Sequence, residues 1–215
     1  DISPKFRLEF RPNLIFSKEN GNQLYQINSF INQQDLLNES NNDQRLDNGG
    51  ITLLTYTQLI TKFQKKGRSL FIMNFSTLDD ANNRQFNNIE NIFYQPNGFT
   101  FLDQLRRTDA KTFNDNFSLR YSDPITTDLV FTTGLSSNYF DNRNDLGTFL
   151  ANNAGEYEIL VPSLTENYRR QGIRNNVNAG VRWKYKKISV TPMLGLITYD
   201  ARNSFSSAKS IHQHF

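Results

Sequence analysis

The sequence has no cysteine and only two histidines, two methionines and one tryptophan in 215 residues. Without a thiol there is no disulfide, no thiol nucleophile and no thiolate metal site, and the redox compartment stays open. No stretch approaches the roughly 18 consecutive apolar residues of a membrane-spanning helix. The start, "DISPKF", has neither the basic region nor the apolar stretch of a signal peptide. An export signal, if the protein is exported, is therefore expected upstream. Clustered charge is lacking too: the net charge is +3, with Lys and Arg spread along the chain. Nothing in this resembles a nucleic-acid footprint, and no nucleic-acid partner is expected.

What is present is polar and rich in asparagine, as "NESNND" and "ANNRQFNN" show. Hydrophobic residues make up 37% of the chain and the mean hydropathy is −0.62. That profile fits a soluble protein. It equally fits a transmembrane β-barrel, in which alternate strand residues and the long loops face water. The length suits one domain or a part of something larger.

Alternation of apolar and polar residues marks strands. In "PKFRLEFRPNLIF", Phe6, Leu8, Phe10, Leu14 and Phe16 alternate with Lys5, Arg7, Glu9 and Arg11. A second strand covers Ile51 to Phe63, with apolar residues on both parities, so its facing is unassigned. The third resumes after "KKGR" with Phe71, Met73 and Phe75 on one parity. The fourth has Phe113, Phe117, Leu119 and Tyr121 against Asn114, Asn116, Ser118, Arg120 and Ser122. The fifth has Leu129, Phe131, Leu135 and Tyr139 against Asp128, Thr132, Gly134, Ser136 and Asn138. The sixth sets Val177, Ala179, Val181, Trp183 and Tyr185 against Asn176, Asn178, Gly180, Arg182 and Lys184. The seventh carries Ile188, Val190, Leu194 and Leu196, with Tyr199 close to its far end and an irregularity expected at Pro192, which cannot donate a ladder hydrogen bond.

Between these strands, tight turns at "KKGR", "SDP" and "KK" alternate with long connections over residues 17–50, about 79–112, and 141–172. All short turns then lie at one end of the sheet and all long loops at the other, the asymmetry of outer-membrane barrels. Tyr121, Trp183 and Tyr185 sit beside the short turns, and Tyr139 and Tyr199 toward the long loops, as interfacial girdles require. The alternating runs suit the roughly 9 to 11 residues of a tilted transmembrane strand. The expected fold is an all-β, antiparallel, up-and-down transmembrane β-barrel, present over residues 1–215 as a fragment of about seven strands of one barrel domain.

The stretches "GRSLFIMNFS", "FNDNFSLRYSDPITTDLVFTTGLSSNYFDNRND" and "YRRQGIRNNVNAGVRWKYKKISVTPMLGL" resemble the barrel portion of Bacteroidota outer-membrane β-barrel proteins related to TonB-dependent receptors. The resemblance lies in strand texture and turn spacing. It implies residence in the cell outer membrane, uptake of a polar solute, and partners that include outer-membrane lipid, an upstream plug domain, an energy-coupling periplasmic protein or a surface lipoprotein. Neither the plug nor the N-terminal β-sandwich of that family is visible in this chain. An odd strand count and a tail, "SSAKSIHQHF", read as loop predict a piece of a larger barrel, whose open edges bar insertion alone.

Catalytic signatures are absent from the sequence pattern, and no cofactor or enzymatic activity is expected. His212 and His214, at i and i+2, share one strand face but have no evident third metal ligand. "DNRNDLG" departs from a calcium loop because Arg143 replaces an acidic ligand and Gly147 falls late. "NFS" at Asn74 and at Asn116 falls mid-strand, and the carboxylates of "LDDANN" and "FLDQLRR" read as solvating loops. On the barrel reading, Asn116, Ser118, Arg120, Asn176, Asn178, Arg182 and Lys184 face the lumen. Phe117, Leu119, Tyr121, Leu129, Phe131, Leu135, Val177, Ala179, Val181 and Trp183 face lipid. The alternatives are a soluble or surface-exposed antiparallel β-domain for binding or adhesion, with the apolar face as its core, and a scaffold barrel that transports nothing.

Overall fold

A computed structural model describes residues 5–31, 34–94, 96–207 and 210–214. Ten strands form one antiparallel, up-and-down sheet: β1 (Phe6–Ile31), β2 (Asp35–Lys62), β3 (Ser69–Tyr94), β4 (Asn97–Pro124), β5 (Leu129–Ala151), β6 (Tyr157–Leu160), β7 (Glu166–Tyr185), β8 (Ile188–Val190), β9 (Met193–Phe205) and β10 (Ile211–His214). The order is β1-β2-β3-β4-β5-β7-β9-β10, with the short β6 on β5 and β8 on β7. The sheet is open, and β1 and β10 are its edges.

Three expectations change. The long connections are strand over most of their length: residues 17–31 continue β1, 35–50 open β2, 79–94 extend β3 and 97–112 open β4. The carboxylates of "LDDANN" and "FLDQLRR" are therefore on strands, not in loops. These segments carry polar residues on both faces, with apolar ones such as Leu24, Phe86 and Phe101 scattered among them, so no sustained alternation marks them, yet antiparallel pairing still satisfies every second backbone group across each hairpin. The turn placed at "SDP" lies one step later, at residues 125–128, because β4 runs through Pro124. The tail is not all loop either: Ile211–His214 pairs with β9, so the path holds eight strands rather than seven; Ala208, Lys209 and Phe215 of that tail lie outside the described residues.

Other local readings agree with the structure. Gly67 takes a φ of 85° in the turn between β2 and β3, and Lys186 takes a φ of 51° in the two-residue turn after β7. At Thr191 and Pro192 the ladder breaks between β8 and β9, and the register on β7 is unchanged across the break. The Pro192 carbonyl still accepts from the Val181 amide at 3.1 Å.

No second layer covers the sheet. Among the described residues Ala201 is the one buried hydrophobic residue, while Leu194 is 85% exposed and Phe16 70% exposed. Cohesion comes from strand-to-strand pairing, which requires close backbone approach at a few glycines. A Cβ on Gly172 would stand 2.5 Å from the Asp200 carbonyl and 2.7 Å from the Phe140 ring, whereas one on Gly21 meets nothing within 4 Å. Gly172→Val is expected to destabilise the β7–β9 pairing by about 1–3 kcal/mol, with Gly21→Ala near neutral. Denaturant unfolding of the two variants, side by side, measures the difference.

Candidate functional site: the two faces of the sheet

Direct partners across an antiparallel ladder point to the same face, so the successive registers decide which residues share a surface. Leu8 pairs with Leu59, Leu59 with Ile72, Ile72 with Leu119, Leu119 with Leu135, Leu135 with Val177 and Val177 with Leu196. One unbroken apolar row thus crosses seven strands. The registers assign the facing of β2, unreadable from its own sequence: its odd residues from Ile51 to Leu59 join this face.

All ten residues expected on the apolar side lie on it. Tyr121 sits opposite Thr133 and Thr133 opposite Ala179; Phe131 sits opposite Val181, and Leu129 opposite Trp183. Phe117 and Leu119 share that face through the parity of β4. The seven polar candidates share the reverse face: Ser118 pairs with Ser136 and then Asn176, Arg120 with Gly134 and then Asn178, and Asn116 accepts from Asn138 at 2.6 Å. Arg182 lies opposite Val130 and Lys184 opposite Ser189. Phe71, Met73 and Phe75 of β3 stand on this polar face, and Leu70, Ile72 and Leu78 on the apolar one. The sequence pattern pointed to the wrong parity there because both parities of β3 carry large apolar residues.

The apolar band does not run parallel to the hydrogen-bonded rows. Its limit on the side away from the short turns is Phe16 on β1, Ile51 on β2, Leu78 on β3, Phe113 on β4, Tyr139 on β5, Ile173 on β7 and Leu196 on β9. The next residues of the same face are Lys18, Gly49, Asp80, Lys111, Asp141, Gln171 and Thr198. Phe16 lies beyond Leu8 in the crossing row, whereas on β9 the limit is Leu196, itself in that row. The drift is about eight residues over six strand-to-strand steps, which at about 3.3 Å per residue and 4.8 Å per strand is an incline of about 40°.

Just past this limit the apolar face carries paired charges. Lys111 holds Asp80 at 2.9 Å, Arg107 holds Asp109 at 2.8 Å, and Arg143 holds Asp145 at 2.7 Å. Arg169 grips both oxygens of Asp141, at 2.9 and 2.6 Å, and keeps that carboxyl below its ordinary range. "DNRNDLG" is thus an ion-paired strand segment. Farther out, the Tyr157 hydroxyl donates to Asp103 at 2.7 Å and its ring packs 5.4 Å from Phe86, over which Arg45 sits at 4.1 Å. Burial, then the Asp103 carboxylate, push the Tyr157 hydroxyl up to about 12.

The apolar face also holds a polar seam that the sequence pattern did not reveal. Asp115 accepts from Asn74 at 2.9 Å and from Ser76, and Ser137 donates to Asn175 at 2.8 Å. Asn74 is therefore engaged within the sheet. At the β9–β10 edge, His212 Nε2 lies 3.0 Å and His214 Nδ1 3.3 Å from the Asp200 carboxylate, an exposed polar cluster. Among the described residues no grouping of His, Cys, Asp and Glu is arranged to hold a metal ion.

Compared with known proteins, the chain matches no family model and no curated sequence. The functional reading therefore rests on this geometry and on the strand texture.

At the short-turn end, Asp123 clasps two adjacent turns. Arg68 donates to it at 3.2 and 2.8 Å and Lys65 at 2.8 Å. The hydrogen bond from Arg68, then that from Lys65, lower its carboxyl to about 2. A depressed carboxyl contributes stability in full above its ordinary value and loses it as pH falls through the folded-state value. The clasp is expected to persist through pH 4 and release near pH 2, read from the carbonyl-carbon NMR titration of Asp123. Asp123→Asn is expected to speed exchange of the Arg68 amide, which closes the turn on the Lys65 carbonyl at 3.0 Å.

Proposed function

We propose that the sheet is part of the wall of an outer-membrane β-barrel, with its apolar band against lipid and its polar face lining a path for a polar solute. The observation that carries this reading is the incline of the band. Strands of transmembrane barrels tilt by about 35–45° and expose an apolar belt about 25 Å tall. The incline of about 40° falls in that range. On β7 the belt runs from Ile173 to Trp183; about ten residue steps of 3.3 Å, so tilted, rise about 25 Å.

Aromatic residues mark both limits, with Phe16, Phe113 and Tyr139 on one side and Tyr121, Trp183 and Tyr185 on the other. Rings at the water–lipid boundary are favoured there because one end of each is apolar and the other wet. Paired charges follow at headgroup depth. The polar hairpins then extend beyond the belt, from Phe16 to Ile31 on β1, for about 50 Å. In lipid the backbone groups of β1 and β10 need pairing, which further strands of the same barrel supply. A receptor of the TonB-dependent type, with a plug domain and an energy-coupling partner, is the form that the strand texture favours.

One feature favours a second reading. The Asn74–Asp115–Ser76 cluster puts a carboxylate inside the belt, where lipid is a poor neighbour. A protein surface covering that face, as in a surface-exposed β-domain for binding or adhesion, would accommodate it.

Nitroxide scanning of residues 176–183 in the full-length protein, reconstituted in lipid, separates the two. Labels at 177, 179 and 181 are expected to collide with apolar oxygen, and those at 176, 178 and 180 with a water-soluble relaxer. Shielding of the odd positions from both agents would reject the lipid-facing belt in favour of a protein cover.

A further inference from the structure

We propose that the polar face is an anion path, in which Arg120, Arg174 and Arg182 form a ladder of unneutralised guanidinium groups for a solute bearing carboxylates or phosphates. The inference rests on the reading of that face as the lining of a solute path, and it adds the sign of the solute's charge.

The named cations of the two faces are partnered differently. Beyond the belt on the apolar face, Arg107, Lys111, Arg143 and Arg169 each hold an aspartate at 2.6–2.9 Å. On the polar face, Arg120, Arg174 and Arg182 make no hydrogen bond, ion pair or ring contact among the described residues. Their cross-strand neighbours carry no acid: Arg120 faces Phe71 and Gly134, Arg174 faces Asn138 and Tyr199, and Arg182 faces Val130. Among the acids of this face, Asp128 stands against Lys184, two residues before Val130, the partner of Arg182, and accepts from the Thr127 hydroxyl at 3.4 Å; the others are engaged elsewhere. Glu9 on β1 is bridged by Arg7 and Arg11, and Asp79 on β3 accepts from Thr52 at 2.6 Å.

The spacing suits movement along the wall. Arg174 and Arg182 are eight residues apart on β7, about 26 Å in an extended strand. Arg120 pairs through Gly134 with Asn178, midway between them. Steps of about 13 Å along the strand direction exceed the reach of one small anion. They fit successive stations, or an extended oligoanion that touches several at once. Depressions join the stations: Arg120 and Arg182 line one with Ser122, Thr132 and Asn178, and Arg174 lines the next with Asn116 and Asn176. A free guanidinium offers a planar fork of donors matched to carboxylate and phosphate oxygens. The amide side chains between the stations supply neutral donors, so a moving anion stays hydrogen-bonded without being trapped.

These 215 residues contain no cysteine, so once any cysteine elsewhere in the full-length protein is replaced by serine the test is direct. Single cysteines at Ser118 and Asn176, in the full-length protein inserted in phospholipid vesicles, are reacted with two methanethiosulfonate reagents. One is the negatively charged sulfonatoethyl compound and the other the positively charged trimethylammonioethyl compound, each rate normalised to that of free cysteine. The anionic reagent is expected to be favoured by about tenfold, as a cationic cleft concentrates anions. Combining Arg120→Gln, Arg174→Gln and Arg182→Gln is expected to reduce the preference to within about twofold, while Arg174→Lys alone, which keeps the charge, retains it. Equal rates, or a preference that survives the triple substitution, would overturn the proposal. So would shielding from both reagents, which would mean that an acidic protein segment occupies the ladder. A cysteine at Val177 in the same vesicles tests the lipid-facing belt separately: fast labelling there rejects the belt, whatever the charge preference on the opposite face.

Discussion

Everything in this chain depends on the inter-strand hydrogen-bond ladder holding its register. With one buried hydrophobic residue among those described, the sheet has no packed core there to correct a misaligned strand. A slip of one residue turns a strand's whole side-chain set to the other face. Six successive registers must each be right for Leu8 and Leu196 to end in one row. The short turns help to set them: Gly67 and Lys186 adopt positive φ in the β2–β3 and β7–β8 turns, and Asp123 ties the β2–β3 turn to the end of β4. Where the ladder must break, at Pro192, the phase is the same on both sides.

On that frame the named cations of the two faces are partnered in different ways. Beyond the belt four cations of the apolar face are paired locally, two of them with an aspartate two residues along the same strand, Arg143–Asp145 and Arg107–Asp109. Such i, i+2 pairs lie on one face by construction and need no help from a neighbour. On the polar face the arginines of β4 and β7 have amides, glycine and aromatic rings as neighbours, so their fields add along the wall. Over β4 and β7 a sheet one residue thick therefore carries paired cations on one side, at Arg107, Lys111 and Arg169, and the unpaired Arg120, Arg174 and Arg182 on the other.

Much of this was legible in the sequence, and the reason is the period of two. Strands with one apolar parity, such as β4 from Phe113 to Tyr121 and β7 from Val177 to Trp183, declared both their conformation and their facing. Lys186 and Gly67 marked true turns. The polar hairpin extensions resemble loops in sequence because alternation is visible only where the two faces differ in polarity, and in "NESNNDQRLDNGG" they do not. The facing of β2 stays unassigned in sequence, and the parity of Phe71, Met73 and Phe75 on β3 does not give their face, for the opposite reason, since both parities of each strand hold large apolar side chains. Register supplied what composition could not: Leu59 and Ile72 are assigned by their partners. The incline of the band and the unpaired arginines are likewise properties of seven aligned strands.

The polar hairpins have a mechanical consequence. They are pairs of strands rooted in a band that sits near one end, so each is a lever with a short anchored arm and a long free one. A slight rocking at the root is magnified at the tip, but neighbouring hairpins are already joined, because the β2–β3 ladder runs out to Asn38 and Phe93 and the β4–β5 ladder to Gln104 and Leu150. Tyr157, reaching from the β5–β7 connection to Asp103 on β4 and to Phe86 on β3 beneath Arg45 of β2, further fastens neighbouring levers together. The distal array is thereby coupled to move as one plate, so a load on any one tip is shared among its neighbours.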